Sequence, residues 1–205
     1  EFRRVLFRSD NLETLTDPKG QASGNLYDAA DRLKEATHRL NGVTQFGYDK
    51  LDRVTSVEAP NGAITTYTYD DLGRRLTETS PDRGTLTFAY DLANNLISII
   101  DGRGIETAMT YDELERLSSK TFPNLVGKVE DVSYVYDTCS FGIGRLCERT
   151  DESGMTAFTY DAFGNIVSIG NDQLGVVYNQ SYVYDDGDNV IQQTLPSGRD
   201  RKSVV

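Results

Sequence analysis

Eight tyrosines in this chain are each followed by an aspartate: Tyr27-Asp28, Tyr48-Asp49, Tyr69-Asp70, Tyr90-Asp91, Tyr111-Asp112, Tyr136-Asp137, Tyr160-Asp161 and Tyr184-Asp185. A phenol beside a carboxylate can bind a cation, handle a proton or cap a backbone turn. The first five pairs recur every 21 residues, and the last three follow at 25, 24 and 24. A fixed period of this length marks a repeat architecture, in which each unit stacks on its neighbours. A pair that returns in every unit is a framework element. Its Asp is therefore expected to accept backbone N–H groups in a turn, as in Asx-turns. A catalytic or metal role is not assigned to it. The Arg of the turn (Arg32, Arg53, Arg74, Arg116) recurs as regularly, and a salt link or cap onto a neighbouring rung is expected.

The remaining reactive side chains are few. Cys139 and Cys147 flank a loop, CSFGIGRLC. They read either as a disulfide clip of an exported protein or as two free thiols. Asp185-Asp186-Gly187-Asp188-Asn189 hints at a calcium loop, but the closing Glu is missing, and an ordinary turn is expected. Phe141-Gly142-Ile143-Gly144 holds a lone GxG, weak as a phosphate cradle without strand–helix context. The single His, His38, reads as a surface or strand residue. One His and two Cys do not make an ordinary structural zinc site. No catalytic, metal or cofactor site is assigned, and the chain is read as not an enzyme.

The elements that position these residues are hairpins. In one unit, Val54-Thr55-Ser56-Val57 is a short β-branched strand, Pro60-Asn61-Gly62 a turn, and Ile64 to Tyr69 a second strand. Asp70-Asp71-Leu72-Gly73-Arg74 then leads into the next unit. Equivalent turns lie at Asn41-Gly42, Pro81-Asp82-Arg83-Gly84, Asp101-Gly102, Glu152-Ser153-Gly154 and Pro196-Ser197-Gly198. No stretch has a helical period. Two positions before each repeat Tyr stands another large side chain: Phe46, Tyr67, Phe88, Met109, Tyr134, Phe158 and Tyr182. Residues two apart on a strand share a face, so these build a ladder. Leu33, Val54, Leu96, Leu117, Ile166 and Val190 are expected to extend it into a buried layer. If that layer is core, Tyr67→Ala and Phe88→Ala should each cost about 3–5 kcal/mol.

The two ends differ from the rest. Residues 1–9 (EFRRVLFRS) and 200–205 (DRKSVV) do not fit the repeat and match translations of common sequencing-library adapters. They are read as adapter-derived, leaving residues 10–199 as a repeat array of about eight units with partial ends. The net charge is −11; the two end segments contribute +2 and +1, so residues 10–199 carry −14. That balance argues against nucleic acid as a partner and against docking on an anionic membrane. No apolar run approaches the roughly 20 residues of a membrane span.

The pattern Tyr-Asp-x-Leu-Gly/Asp-Arg-Leu/Val-Thr, then Pro-Asn/Asp-Gly, then Thr-x-Tyr-x-Tyr-Asp resembles the YD repeat of the Rhs (rearrangement hot spot) family. Asp71-Leu72-Gly73-Arg74 and Phe163-Gly164-Asn165-Ile166 carry it most clearly, and the likeness covers nearly all of residues 10–199. Departures are local: Ala93-Asn94-Asn95 replaces Leu-Gly-Arg, and an inserted loop follows Tyr136. The resemblance implies an all-β fold of tandem hairpins in a spiralling antiparallel sheet, a fragment of a hollow shell. It further implies a large secreted or injected protein, in bacteria a polymorphic toxin whose shell encloses a C-terminal toxin; related shells occur in insecticidal toxin complexes and teneurin receptors. The family's shell-closing segment with its self-cleavage residues has no counterpart here. The implied partners are the rest of the parent chain and its enclosed segment, in a secreted or cell-surface setting. The alternative is a carbohydrate-binding module of a cell-surface protein, in which exposed Tyr and Phe stack on glycans. A β-propeller is a third reading, but spacings drifting from 21 to 25 fit an open array better.

Overall fold

The computed structural model describes residues 3–6, 12–38, 42–125, 130–173, 175–197 and 200–202. The described residues contain strands and turns and no helix. The chain divides into two compact units, residues 1–89 with 99–104 and residues 90–98 with 105–205. The strands are β1 (Arg3–Leu6), β2 (Leu12–Thr16), β3 (Ala22–Tyr27), β4 (Leu33–Thr37), β5 (Val43–Tyr48), β6 (Val54–Glu58), β7 (Ile64–Tyr69), β8 (Arg75–Ser80), β9 (Gly84–Tyr90) and β10 (Leu96–Ile100). They continue with β11 (Glu106–Tyr111), β12 (Leu117–Thr121), β13 (Val132–Tyr136), β14 (Leu146–Asp151), β15 (Gly154–Tyr160), β16 (Ile166–Gln173), β17 (Val176–Tyr184), β18 (Val190–Thr194) and β19 (Asp200–Lys202). From β1 to β9 each strand pairs antiparallel with the next. The same holds from β11 to β19.

Both terminal segments set aside on sequence grounds contribute backbone to the ladder. Arg3–Leu6 lies against β2, and Asp200–Lys202 against β18. Edge strands expose unpaired N–H and C=O groups that any extended segment can meet, so this pairing is independent of where the segments come from.

Where one hairpin passes into the next, a β-bulge falls at the repeat tyrosine, which the period of two does not reveal. Gly47 faces Ser56, but Tyr48 faces Val54, leaving Thr55 as the extra residue. The same shift falls at Tyr27, Tyr69, Tyr111, Tyr136, Tyr160 and Tyr184. A bulge bends its strand and raises the local twist. It also sets the cross-strand partners of the ladder. Phe46 meets Val57 and Tyr48 meets Val54; Phe158 meets Ile169 and Tyr160 meets Ile166. Leu33, Leu117 and Val190 likewise face Tyr27, Tyr111 and Tyr184.

The turns follow the sequence in position more than in type. An Asn-Gly pair predicts a two-residue hairpin with positive φ at both positions. Instead Ala59–Ala63 forms a longer loop, in which Ala59 N–H donates to Ala63 O and Gly62 N–H to Ala59 O. Only Gly62 takes a positive φ, +80°. Asn61 caps the loop by accepting the Ala63 N–H at 3.0 Å. Asn41 and Gly198, two other predicted turn residues, lie outside the described residues.

The ladder is not a buried core. Among the described residues, Phe88 (7% exposed) and Cys147 (1%) are the buried hydrophobic side chains, while Tyr67 and Tyr69 are half-buried. The expected buried layer is therefore corrected to a half-buried one. A single sheet covers its side chains only with their neighbours along the ladder. The opposite face is open and mixed: Ile64, Thr66 and Thr68 are exposed, as are Leu26, Val135 and Val183, and hydroxyls pair across strands at Thr68–Thr77 (2.6 Å) and Thr79–Thr85 (2.9 Å). Phe88 is the exception because Arg75, standing where other units place Leu or Val, lays its guanidinium 4.6 Å from the ring centroid. Phe88→Ala is expected to lower stability by about 3–5 kcal/mol. Tyr67→Ala should cost only about 1–2 kcal/mol, because less apolar area is removed from contact. Urea denaturation of both variants checks this; equal losses would show that the ladder is covered along its length.

Candidate functional site

The recurrent chemistry assembles where one hairpin turns into the next. In the Asp49 turn, Asp49 Oδ1 accepts the N–H groups of Leu51 (2.8 Å) and Arg53 (3.0 Å). Its other oxygen, Oδ2, accepts Arg53 Nε at 2.6 Å. The backbone closes the turn through Asp49 N–H to Arg53 O at 3.0 Å. The same bonds recur at Asp28, Asp70 and Asp112 with Arg32, Arg74 and Arg116. Asp91, Asp161 and Asp185 keep the backbone bonds but meet Asn95, Asn165 and Asn189. The residue before Arg or Asn needs a left-handed backbone. Asp31, Asp52, Asn94, Glu115 and Asp188 hold φ near +60 to +71°, whereas Gly73 and Gly164 fill the slot without a Cβ.

Arg32, Arg53 and Arg116 then reach out of their own turns. Arg32 Nη1 donates to the Asp49 carbonyl (3.1 Å) and to Asp52 Oδ1 (2.7 Å), and its guanidinium lies 4.8 Å from the Tyr48 ring centroid. Arg53 donates to the Asp70 carbonyl at 2.7 Å and stacks on Tyr69. Arg116 pairs with Asp137 and lies 4.4 Å from the Tyr136 centroid. The repeat tyrosine completes the link from the other side. Tyr48 OH donates to Leu33 O (2.8 Å), Tyr69 to Val54 O (2.7 Å), Tyr111 to Leu96 O (2.9 Å), Tyr160 to Leu146 O (2.7 Å) and Tyr184 to Ile166 O (2.8 Å). Successive hairpins are thus held by a carboxylate, a guanidinium, a phenol ring and its hydroxyl.

The inserted loop keeps this arrangement. Cys139 and Cys147 are disulfide-bonded, with Cα atoms 5.5 Å apart. Asp137 N–H donates to Arg145 O, and Arg145 lies over the Tyr160 ring. The loop therefore returns an Arg to its place after eight residues where other turns take four. Gly142, the first glycine of the GxG, is packed against the bond: a Cβ there would lie 2.5 and 2.6 Å from the two sulfurs. It is no phosphate cradle. Asp185 caps Gly187 and Asn189 as an ordinary turn, and His38 Nε2 lies 3.2 Å from Thr44 Oγ1. Among the described residues no group of three or more His, Cys, Asp or Glu is placed to hold a metal ion. No described helix is long and apolar enough to cross a membrane.

Two participants escape a sequence reading. Arg145 is hidden by the insertion, although Arg145-Leu146 repeats the Arg-Leu step of other units. Glu78 is buried at 7% exposure and ion-paired to Arg75 (2.7 Å) and Arg83. The doubled Arg74-Arg75 was its available signal.

Part of the chain matches the RHS Repeat family model, at residues 27–63, 48–85 and 90–124. Those stretches are RHS repeats. No curated protein matches the sequence of the chain. Its fold is similar to that in the crystal structure of TcdB2-TccC3-TEV, with TM-score 0.70, 14% identity, and coverage of 98% of this chain and 14% of that one. A Photorhabdus luminescens Tc holotoxin pore structure matches at TM-score 0.61 and 16% identity, covering 95% of this chain and 13% of that one. TcdB2-TccC3 without its hypervariable C-terminal region matches at TM-score 0.58 and 17% identity, over 94% and 13%. At these identities the likeness is one of fold, and this RHS-repeat chain spans only about a seventh of their length.

The clamp makes stability acid-sensitive. Bonds from the Arg32 side chain, then its N–H, hold Asp28 below the usual carboxylate range; the Arg116 side chain, then Gly144 N–H, do so for Asp137. Because the folded pKa lies below the unfolded one, the unfolded chain binds more protons in acid. The stabilisation is therefore present above about pH 4 and lost as pH falls through the folded values. Thermal unfolding midpoints are expected to be level from pH 7 to about 5 and to drop below about 4; a midpoint unchanged at pH 2 would refute the clamp's part in stability. Reduction of Cys139–Cys147 should lower stability by about 2–3 kcal/mol through the lost loop constraint, read from denaturation with and without reductant.

Proposed function

We propose that this chain is a length of wall in a hollow β-shell, part of a longer secreted or injected protein, enclosing or displaying that protein's C-terminal segment. Its role is architectural and it catalyses no reaction. The clamp between successive hairpins carries the reading. It joins only neighbours, so an array of any length can be built from it without a thick core. The likeness in fold to TcdB2-TccC3 and to the holotoxin pore supports the same view. The glycan-platform reading requires bare aromatic faces. The rings of Tyr48, Tyr69, Tyr136 and Tyr160 lie beneath guanidinium groups, which supports a wall instead.

The test is limited proteolysis of the complete natural reading frame that contains this segment. The C-terminal segment is expected to resist protease while the array is intact, and to become cleavable when Arg53→Ala and Arg116→Ala weaken two clamps. A C-terminal segment cut at the same rate with and without the array would overturn enclosure. A specific hit for this chain on a glycan array would favour the binding module.

A further inference from the structure

The clamp lacks its arginine where Asn95, Asn165 and Asn189 take the slot, and at Asn165 a cavity lies beside it. At Arg32 the guanidinium is held by four groups: Asp28 Oδ2 (2.7 Å), Asp52 Oδ1 (2.7 Å), the Asp49 carbonyl (3.1 Å) and the Tyr48 ring (4.8 Å to its centroid). Two of these residues begin successive turns, one precedes the next arginine slot, and one is the next repeat tyrosine. The corresponding residues around position 165 are Asp161, Asp185, Asp188 and Tyr184. There the arginine is replaced by Asn165. Its amide still bridges the two carboxylates, donating to Asp161 Oδ2 at 3.2 Å and Asp188 Oδ1 at 2.8 Å. An asparagine is three heavy atoms shorter than an arginine, and it carries no charge.

A cavity of about 400 Å³ opens at this slot, lined by Asp161, Phe163, Tyr182, Tyr184, Asp185 and Asp188 among others. Its lining contains four carboxylates and three aromatic rings, and no Lys, Arg or His. In sister units a guanidinium from the chain itself lies between the turn Asp and the next repeat tyrosine ring, at Arg32, Arg53 and Arg116, and at Arg32 it also meets Asp52, the counterpart of Asp188. We propose that this cavity is a binding site for a guanidinium group supplied from outside the slot, the arginine side chain of another polypeptide segment. Arginine suits it better than lysine, because a planar fork can span two carboxylates and lie flat on a ring at once. An ammonium is a point charge and gains less from that geometry. The net charge of −11 favours a cationic partner at such a place.

The probe is N-acetyl-arginine amide, compared with its neutral citrulline analogue and with N-acetyl-lysine amide. Binding is read from the ring resonances of Tyr184 and Tyr182 by NMR. The arginine amide is expected to shift them saturably with Kd in the millimolar range, with lysine weaker and citrulline inert. Asn165→Arg refills the slot with the residue the fold already carries at Arg32, Arg53, Arg74 and Arg116. It should preserve the fold and weaken binding at least about tenfold. Asp188→Asn should weaken binding without removing it. An arginine-bearing peptide that binds more tightly than the amide would place the source in a polypeptide; equal affinity would point to a free small guanidinium instead and overturn that part. Absence of a saturable shift, an equal response to citrulline, or binding that survives Asn165→Arg would overturn the site itself.

Discussion

A guanidinium shared between two turns is the interaction on which this structure depends. A single-layered sheet cannot bury its side chains on a second layer, and here the aromatic ladder stays half-buried. Cohesion between successive hairpins must come from backbone pairing and from side chains that reach across. Arg32 and Arg53 do this by closing their own Asp turns and bonding the carbonyl that begins the next. Singly, such partly exposed contacts contribute little, on the order of 0–1 kcal/mol for an ion pair and about 0.5–1 for a cation–π contact. They act here as a register device, because a guanidinium placed over the wrong ring would leave its own carboxylate without a partner.

The bulge at seven of the eight repeat tyrosines, from Tyr27 to Tyr69 and from Tyr111 to Tyr184, is the geometric counterpart of the clamp. Without it, Val54 and Val57 would point to opposite faces. With it, both meet the ladder, Val54 against Tyr48 and Val57 against Phe46. The tyrosine hydroxyl then reaches a carbonyl of the strand before its own, Leu33 O for Tyr48. Strand irregularity is therefore part of the repeat. The insertion after Tyr136 shows how much variation the scheme accepts. The loop lengthens, a disulfide closes it, and Arg145 still arrives over Tyr160.

The variable positions distinguish one unit from the next. Exchange of Arg for Asn at position 165 leaves the turn intact, since Asp161 still caps its backbone. What changes is the side-chain layer above it, where an anionic and aromatic cavity replaces a filled slot. Arg75 works in the opposite sense. It replaces an apolar residue, covers Phe88 and pairs with Glu78, giving that unit the nearest approach to a core among the described residues.

Much of this was legible in the sequence because it is local and periodic. The repeat length, the hairpin plan, the absence of helix and the turn-capping Asp all follow from residue types at fixed spacing, and such patterns act over a few residues. The family likeness rests on the same local pattern. The expectation that the ends are adapter-derived rests on sequence alone, and the pairing of those ends against β2 and β18 does not bear on it. Tertiary structure decided the rest. The bulge cannot be read from a period of two, since it is a relation between strands. The choice between bonded and free Cys139 and Cys147 depended on where the loop brings their Cα atoms. That the ladder is half-buried depended on the lack of a covering layer, and a strand's own alternation is the same whether or not one exists. The partner of each arginine, across 16 to 20 residues from Arg32 to Tyr48 and Asp52, was decided by the stacking of hairpins, because only that brings one turn's cation to the next turn's ring.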